Sequence, residues 1–142
     1  MFRKILVAID GSKTSEMALE QAIGEAKQCS AELHVVYVVE TGLFSSIPMD
    51  NTWEVIYGLL EKEGQESLST ARQRAKEAGI EIVTHMRQGR AGNEIIRLAQ
   101  DLGVDLIMIG SHGKSNIDRI LIGSVSSHVV KYSPISTLVV RT

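Results

Sequence analysis

Hydrophobic and polar positions alternate along the chain between two kinds of pattern. Short runs of branched apolar residues, typical of strands covered on both faces, occur at 4–10, 31–40 and 104–110. Weaker runs at 80–86 and 135–140 predict two further strands. Each strand except the last is followed by a segment whose apolar residues recur three and four positions apart, which is the spacing of an amphipathic helix.

The helical segments complete the alternation of strand and helix. They cover 14–29, 51–78, 92–103 and 124–133. Ser124 is the predicted N-cap of the last helix, and Gly79 is a natural stop for the long second one. This order predicts a doubly wound α/β fold, a five-stranded parallel sheet with helices on both faces, built from right-handed crossovers.

A fold of this class positions its ligands outside the carboxyl ends of the strands, where the strand order reverses. The residues that follow the predicted strands there are Asp10, the stretch 38–40 and Gly110 onward. We therefore expect the functional site at these three places.

Composition limits the partners. The 142 residues suit a single domain, residues 1–142, and 15 basic against 17 acidic residues provide no cationic footprint for a nucleic-acid backbone or an anionic membrane. The single cysteine, Cys29, cannot form an internal disulfide, and no apolar stretch approaches the length of a membrane span. We expect a cytoplasmic protein that binds neither nucleic acid nor membrane.

The stretch GSHGKS ends like a Walker A phosphate loop. That motif requires a glycine five positions earlier, where Met108 stands, and a helix that starts at Lys114, whereas the next predicted helix starts at Ser124. The dinucleotide fingerprint also fails, because the first turn, DGSKTS, has one glycine where three are needed. The sequence therefore disfavours both phosphate-binding motifs, although ILVAID, an apolar run that ends in Asp10, is similar to a Walker B strand.

A different spacing remains: Gly110, two residues, Gly113, nine residues, then Gly123-Ser124. Together with KILVAIDGS near the N-terminus and LIMIGSHG, it resembles the ATP-binding branch of the universal stress protein family over nearly the whole chain. The resemblance implies a Rossmann-like fold of the adenine nucleotide alpha hydrolase type, with ATP and a Mg²⁺ or Mn²⁺ ion as cofactors.

The residues of this motif suit a split phosphate site. Gly110 and Gly113 permit a backbone turn whose N–H groups face an anion. The free N–H groups of Ser124, Val125 and Ser126 at a helix N-terminus would form the second half. The hydroxyls of the two serines have two compatible roles, a bond to phosphate or capping of the helix.

Other site residues follow from the resemblance. It implies that Asp10 lies at the nucleotide, bound to a ribose hydroxyl or to the metal ion, although a turn residue before Gly11 is an alternative. It also implies that Ala8 and Val38 line the adenine pocket, with backbone groups of Val38 at the base edge, and that His112 contacts the phosphates.

One segment departs from the family. A proline commonly follows the glycine of this segment by two positions, and here Ala91 stands two residues after Gly89. The contacts of Gly89 and Arg90 are therefore not implied by the resemblance.

The predicted function is that of an ATP-binding regulatory module in a stress response, a homodimer joined through its last strand. No catalytic residue is identified, because no carboxylate pair or triad is visible and His112 stands alone. Two alternatives stay open: a weak ATPase or nucleotide hydrolase on the same fold, and a dimeric interaction module that has lost nucleotide binding. His34, His85 and His128 have no metal-binding spacing and are interpreted as structural.

Overall fold

The computed structural model describes residues 1–42, 51–112 and 123–141. Strands and helices alternate as predicted. In chain order they are β1 (Lys4–Ile9), α1 (Lys13–Cys29), β2 (Glu32–Glu40), α2 (Asn51–Glu77), β3 (Ile82–Gly89), α3 (Ala91–Leu102), β4 (Leu106–Gly110), α4 (Ser124–Tyr132) and β5 (Thr137–Val140).

The five strands form one parallel sheet in the order β3-β2-β1-β4-β5. From β1 the chain moves outward through α1 and α2 to β3, and α3 then returns it across the sheet to β4. The order therefore reverses between β1 and β4, which is where a doubly wound sheet opens a crevice at its carboxyl edge. The predicted fold class is confirmed.

Each face of the sheet has its own apolar core. Ile5, Val7 and Val35 face α1 and α2, whereas Leu6 and Val36 face α3 and α4. This follows from the alternation of side chains along a strand, and it explains why the central strands are apolar at every position.

Several boundaries differ from the prediction. β3 starts at Ile82 and runs past Met86 to Gly89, because its pairing with β2 continues as far as Glu40. Ser124 was predicted as the N-cap of α4, and this is wrong, since Gly123 is the N-cap and Ser124 is the first helical residue. Gly79 follows the end of α2 with a positive φ of 85°, as expected of a helix stop.

The two glycines within α2 have different surroundings. A Cβ atom on Gly64 would lie 2.7 Å from Tyr37 Cδ1 and 2.9 Å from Met86 Cε, whereas one on Gly58 would meet nothing within 4 Å. The helix therefore approaches the sheet closely at Gly64. Among the described residues, the structure has no helix long and apolar enough to span a bilayer.

Candidate functional site

At the carboxyl edge of the sheet, β2 extends further than β1. The last paired residue of β1 is Ile9, opposite Tyr37, while β2 continues to Glu40 alongside β3. On the other side, the β1–β4 register places Gly110 level with Ile9. The space beyond the end of β1 is therefore flanked by the ends of β2 and β4.

Ala8 and Val38 lie on the α3 and α4 face of the sheet beside this space. Ala8 is buried and Val38 is partly buried in the core of that face. The two predicted pocket residues are thus on one face and at neighbouring strand ends.

Asp10 forms the turn from β1 into α1. Its Oδ1 accepts a hydrogen bond from the N–H of Ser12 at 2.9 Å, and its own N–H donates to Ser15 Oγ at 3.2 Å. Gly11 makes the turn possible with a φ of 83°. Asp10 therefore has the structural role in the turn that the sequence offered as an alternative. No described residue donates a hydrogen bond to its second carboxylate oxygen, Oδ2.

Gly110 packs closely against the first turn of α1. A Cβ atom there would lie 2.8 Å from Thr14 Cγ2 and 3.1 Å from the Thr14 carbonyl carbon. The group that approaches Gly110 most closely is therefore the first turn of α1, which the sequence alone did not indicate.

Ser111 joins the two halves of the predicted split site. Its carbonyl oxygen accepts hydrogen bonds from the N–H of Gly123 at 2.6 Å and from Ser126 Oγ at 3.0 Å. Its N–H donates to the carbonyl of Val140 at 2.8 Å, and the residue is 1% exposed. The start of α4 is thus held against the end of β4. Sequence analysis missed this role, for which the only signal was the position of Ser111 directly after a buried strand.

The segment between those halves is outside the described residues. It includes Gly113, the second glycine of the motif, so the structure says nothing about that prediction.

The N-terminus of α4 presents three N–H groups that have no acceptor among the described residues. The first helical hydrogen bond runs from the N–H of Ser127 to the carbonyl of Gly123 at 2.9 Å, so the N–H groups of Ser124, Val125 and Ser126 precede it. No described residue accepts from these three groups, as is usual for the first turn of a helix. The Ser126 hydroxyl is buried and donates to Ser111 and Gly123, which is a structural role, whereas Ser124 is exposed and makes no capping bond.

His112 is buried next to this turn. It is 6% exposed, and its Nε2 has no hydrogen-bond partner among the described residues. Its Nδ1 lies 3.5 Å from Ser111 Oγ, which is a long contact. Because a buried polar nitrogen without a partner is costly, this atom is a candidate for contact with a ligand.

His34 and His85 form a pair that sequence analysis did not anticipate. His34 Nδ1 lies 2.9 Å from His85 Nε2, and the ring planes differ by 21°. On its other side, His34 Nε2 lies 3.5 Å from Glu32 Oε1, an electrostatic contact that does not meet hydrogen-bond geometry. The pair arises from the strand register, which places His85 opposite Val36, two positions from His34 and therefore on the same face of the sheet. No group of three or more metal-ligating side chains occurs in the described ranges.

We predict that mild acid destabilises the protein through His85. Burial, followed by the charges of His34 and Arg87, lowers the pKa of His85 below its ordinary value of 6.5. The unfolded chain therefore binds this proton more tightly than the folded chain, so stability should fall as the pH drops through about 6.5 toward the lower folded-state pKa. Thermal unfolding between about pH 7.5 and pH 5.5 measures the effect.

The matched variant for this prediction is His85→Gln, which keeps a polar side chain but cannot titrate. Its unfolding temperature should vary less with pH over the same interval. An identical pH dependence in both proteins would contradict the role of His85.

The strand order β3-β2-β1-β4-β5, with helices on both faces of the parallel sheet, defines a doubly wound α/β protein. The sequence profile of the universal stress protein family matches residues 1–141. The chain belongs to the universal stress protein family.

Individual relatives agree with this assignment. The chain is 40% identical over 141 residues to universal stress protein MJ0531 of Methanocaldococcus jannaschii, covering 99% of this chain and 83% of the relative. Among solved structures, hypothetical protein MJ0577 superimposes with a TM-score of 0.89 at 30% identity, covering 100% and 97% of the two chains. A universal stress protein in complex with cAMP superimposes with a TM-score of 0.70 at 26% identity, covering 99% and 97%.

Proposed function

We propose that the chain is an ATP-binding universal stress protein, a nucleotide-dependent regulatory module in a stress response. The observation that carries this proposal is the pair of hydrogen bonds to the Ser111 carbonyl, 2.6 Å from the N–H of Gly123 and 3.0 Å from Ser126 Oγ. They hold the first N–H groups of α4, which have no described acceptor, beside the end of β4, where the crevice begins. A helix N-terminus at that place favours a phosphate group.

The nucleotide would lie across the crevice. Its adenine would lie beside Ala8 and Val38 at the end of β2, and its phosphates would accept from the first N–H groups of α4. His112 Nε2, buried without a described partner, would contact a phosphate oxygen. The cAMP complex of a relative supports an adenine nucleotide as the ligand class for this chain.

A divalent ion suits this arrangement at one position. Asp10 has one carboxylate oxygen engaged by Ser12 and a second one that no described residue occupies. Mg²⁺ or Mn²⁺ takes one or two carboxylates and completes its coordination with phosphate oxygens and water, so Asp10 alone would be sufficient. The ion would neutralise charge on the phosphates.

The direct test is calorimetric titration of protein stripped of nucleotide with ATP plus Mg²⁺, with release of phosphate measured in parallel. We expect saturable binding and little or no turnover, since no residue in the described crevice is arranged as a nucleophile and base. Rapid turnover would favour the alternative of a nucleotide hydrolase. Failure to bind would favour the alternative of an interaction module without nucleotide.

The assembly proposed for this module is a cytoplasmic homodimer of single domains, residues 1–142. β5 lies at the edge of the sheet, and Leu138 on it is 40% exposed. The carbonyls of Ser136 and Val140 accept from β4, so the N–H of Val139 between them points to the open edge. An exposed edge strand of this kind is a template for pairing with a second copy.

We predict that Val139→Pro yields a monomer by analytical ultracentrifugation, whereas the wild type sediments as a dimer. Proline removes the outward N–H but none of the bonds to β4, so the fold should persist. Thr84→Pro is the matched control, because it removes an outward N–H from β3 at the opposite edge. A wild-type monomer at micromolar concentration, or a dimer unaffected by Val139→Pro, would contradict this assembly.

A further inference from the structure

Helices α3 and α4 are separated by a cleft on their common face of the sheet. The cleft has a volume of about 510 Å³ and is lined by Asn93, Ile96, Arg97, Gln100, His128 and Tyr132. This volume lies within the usual range for sites that bind small organic molecules. Because α3 contacts β2 and β3 while α4 contacts β5, the cleft lies over the middle of the sheet, away from both of its edges.

Both helices are fixed where they begin. The N–H of Ala91, the first residue of α3, donates to Glu40 Oε2 at 2.8 Å. The start of α4 is held by the two hydrogen bonds to the Ser111 carbonyl. The helices touch near these ends, since a Cβ atom on Gly92 would lie 2.6 Å from His128 Cδ2. The two walls of the cleft are therefore positioned without a ligand.

The α3 wall is polar and carries a positive charge. Asn93, Arg97 and Gln100 recur four and three positions apart, which places them on one side of the helix. Arg97 Nη1 donates to Glu94 Oε2 at 2.9 Å. No described residue accepts from the other guanidinium nitrogens of Arg97 or bonds to the amides of Asn93 and Gln100. Since no carboxylate is among the described residues that line the cleft, the guanidinium favours an anionic ligand.

The α4 wall is aromatic. The rings of His128 and Tyr132, one helical turn apart, have centroids 4.7 Å apart and planes inclined by 48°. Tyr132 is 59% exposed, so much of its ring is accessible to a ligand, and Lys131 Nζ lies 5.3 Å from the centroid of that ring. Ile96, partly buried in the core of this face, adds an apolar surface. A flat aromatic group fits such a wall, because aromatic rings pair in offset or tilted arrangements.

We propose that this cleft binds a small aromatic carboxylate, with its ring against His128 and Tyr132 and its carboxylate on Arg97. A guanidinium binds a carboxylate through two N–H groups, and the amides of Asn93 and Gln100 supply further donors on the same wall. The site is separate from the proposed nucleotide site at the carboxyl edge of the sheet. Gln100 and Tyr132 belong to the last turns of α3 and α4, which run back toward the amino edge.

The ligand half of the test compares two probes of the same shape on the wild-type protein. 2-Naphthoate has two fused rings and a carboxylate, and 2-naphthamide has a neutral amide in place of the carboxylate. Titration followed by the fluorescence of the probe should show saturable binding of 2-naphthoate. Binding of 2-naphthamide should be weaker by at least about tenfold, because hydrogen bonds between charged groups are the stronger ones. Saturating ATP with Mg²⁺ should change the affinity for 2-naphthoate by less than about twofold, because the two sites are separate.

The protein half removes one wall at a time. Arg97→Gln removes the charge at a side chain that is 67% exposed, so the fold should persist. It should lower the affinity for 2-naphthoate at least about tenfold and that for 2-naphthamide less than about threefold. Tyr132→Ser should lower both affinities about two- to tenfold, because both probes use the ring. The matched control is Arg74→Gln on α2, at the opposite face of the sheet, where the arginine also pairs with a glutamate, Glu16, at 3.8 Å. It should leave both affinities unchanged.

Several results would each overturn the proposal. Equal affinity of the wild type for the two probes, or no saturable binding of 2-naphthoate, would do so even if a variant failed to fold. Equal losses in Arg97→Gln and Arg74→Gln would assign the effect to net charge and not to the cleft. Displacement of 2-naphthoate by ATP would place the probe at the nucleotide site. The proposed function is independent of these results, because the titration with ATP tests it by itself.

Discussion

Replacing Ser124 by proline is expected to weaken ATP binding about 10- to 100-fold while leaving the fold intact. Ser124 is the first residue of α4, and Gly123 before it has φ −64° and ψ 164°, a conformation that a following proline allows. The substitution removes one N–H at the helix end. A hydrogen bond to a charged group contributes about 1.5–3 kcal/mol, which sets the expected loss. Calorimetric titration with ATP and Mg²⁺ measures it.

The matched control is Ser124→Ala, which removes the hydroxyl and keeps the N–H. Because the Ser124 side chain is exposed and makes no capping bond, this variant should bind ATP within about threefold of the wild type. Equal losses in both variants would assign the contact to the hydroxyl. Unchanged binding by the proline variant would show that the phosphates do not lie at this turn.

Gly110→Ala should lower the free energy of unfolding by about 1–3 kcal/mol, the range for inserting a methyl group into a packed region. The new Cβ would lie 2.8 Å from Thr14 Cγ2 and 3.1 Å from the Thr14 carbonyl carbon. The side-chain methyl can rotate away, but the backbone contact requires α1 to shift. Urea denaturation monitored by circular dichroism gives the value.

The same substitution at Gly24, in the middle of α1, should have the opposite sign. A Cβ atom there meets nothing within 4 Å, and alanine is favoured over glycine in a helix by about 1 kcal/mol. A loss of stability at both positions would show that the contact with Thr14 is not the cause of the effect at Gly110.

The order of strands and helices could be predicted because it depends on local periodicity. Runs such as 4–10 are apolar at every position, and segments such as 14–29 repeat at helical spacing, so the elements follow from residues close in sequence. The end of β3 was predicted at Met86, three residues too early. Its extension to Gly89 depends on pairing with Glu40 on a neighbouring strand. Such pairing joins residues that are distant along the chain.

The candidate site also has features that the sequence predicted and features that it did not. The motif Gly110, Gly123 and Ser124 was visible as a spacing, and the helix start beside it followed from composition. The N-cap was assigned one residue too late because serine is the commoner capping residue, whereas here the extended backbone of Gly123 holds that place. Capping depends on backbone angles, which the residue type indicates but does not determine.

By itself, the amino-acid sequence determined the α/β class and the family resemblance, since each follows from periodicity or from a short spacing. Only the tertiary structure decided that Ser111 joins the end of β4 to the start of α4, that His34 meets His85, and that Glu40 binds Ala91. These contacts depend on strand register and on which strand ends are neighbours. Both are properties of the assembled sheet.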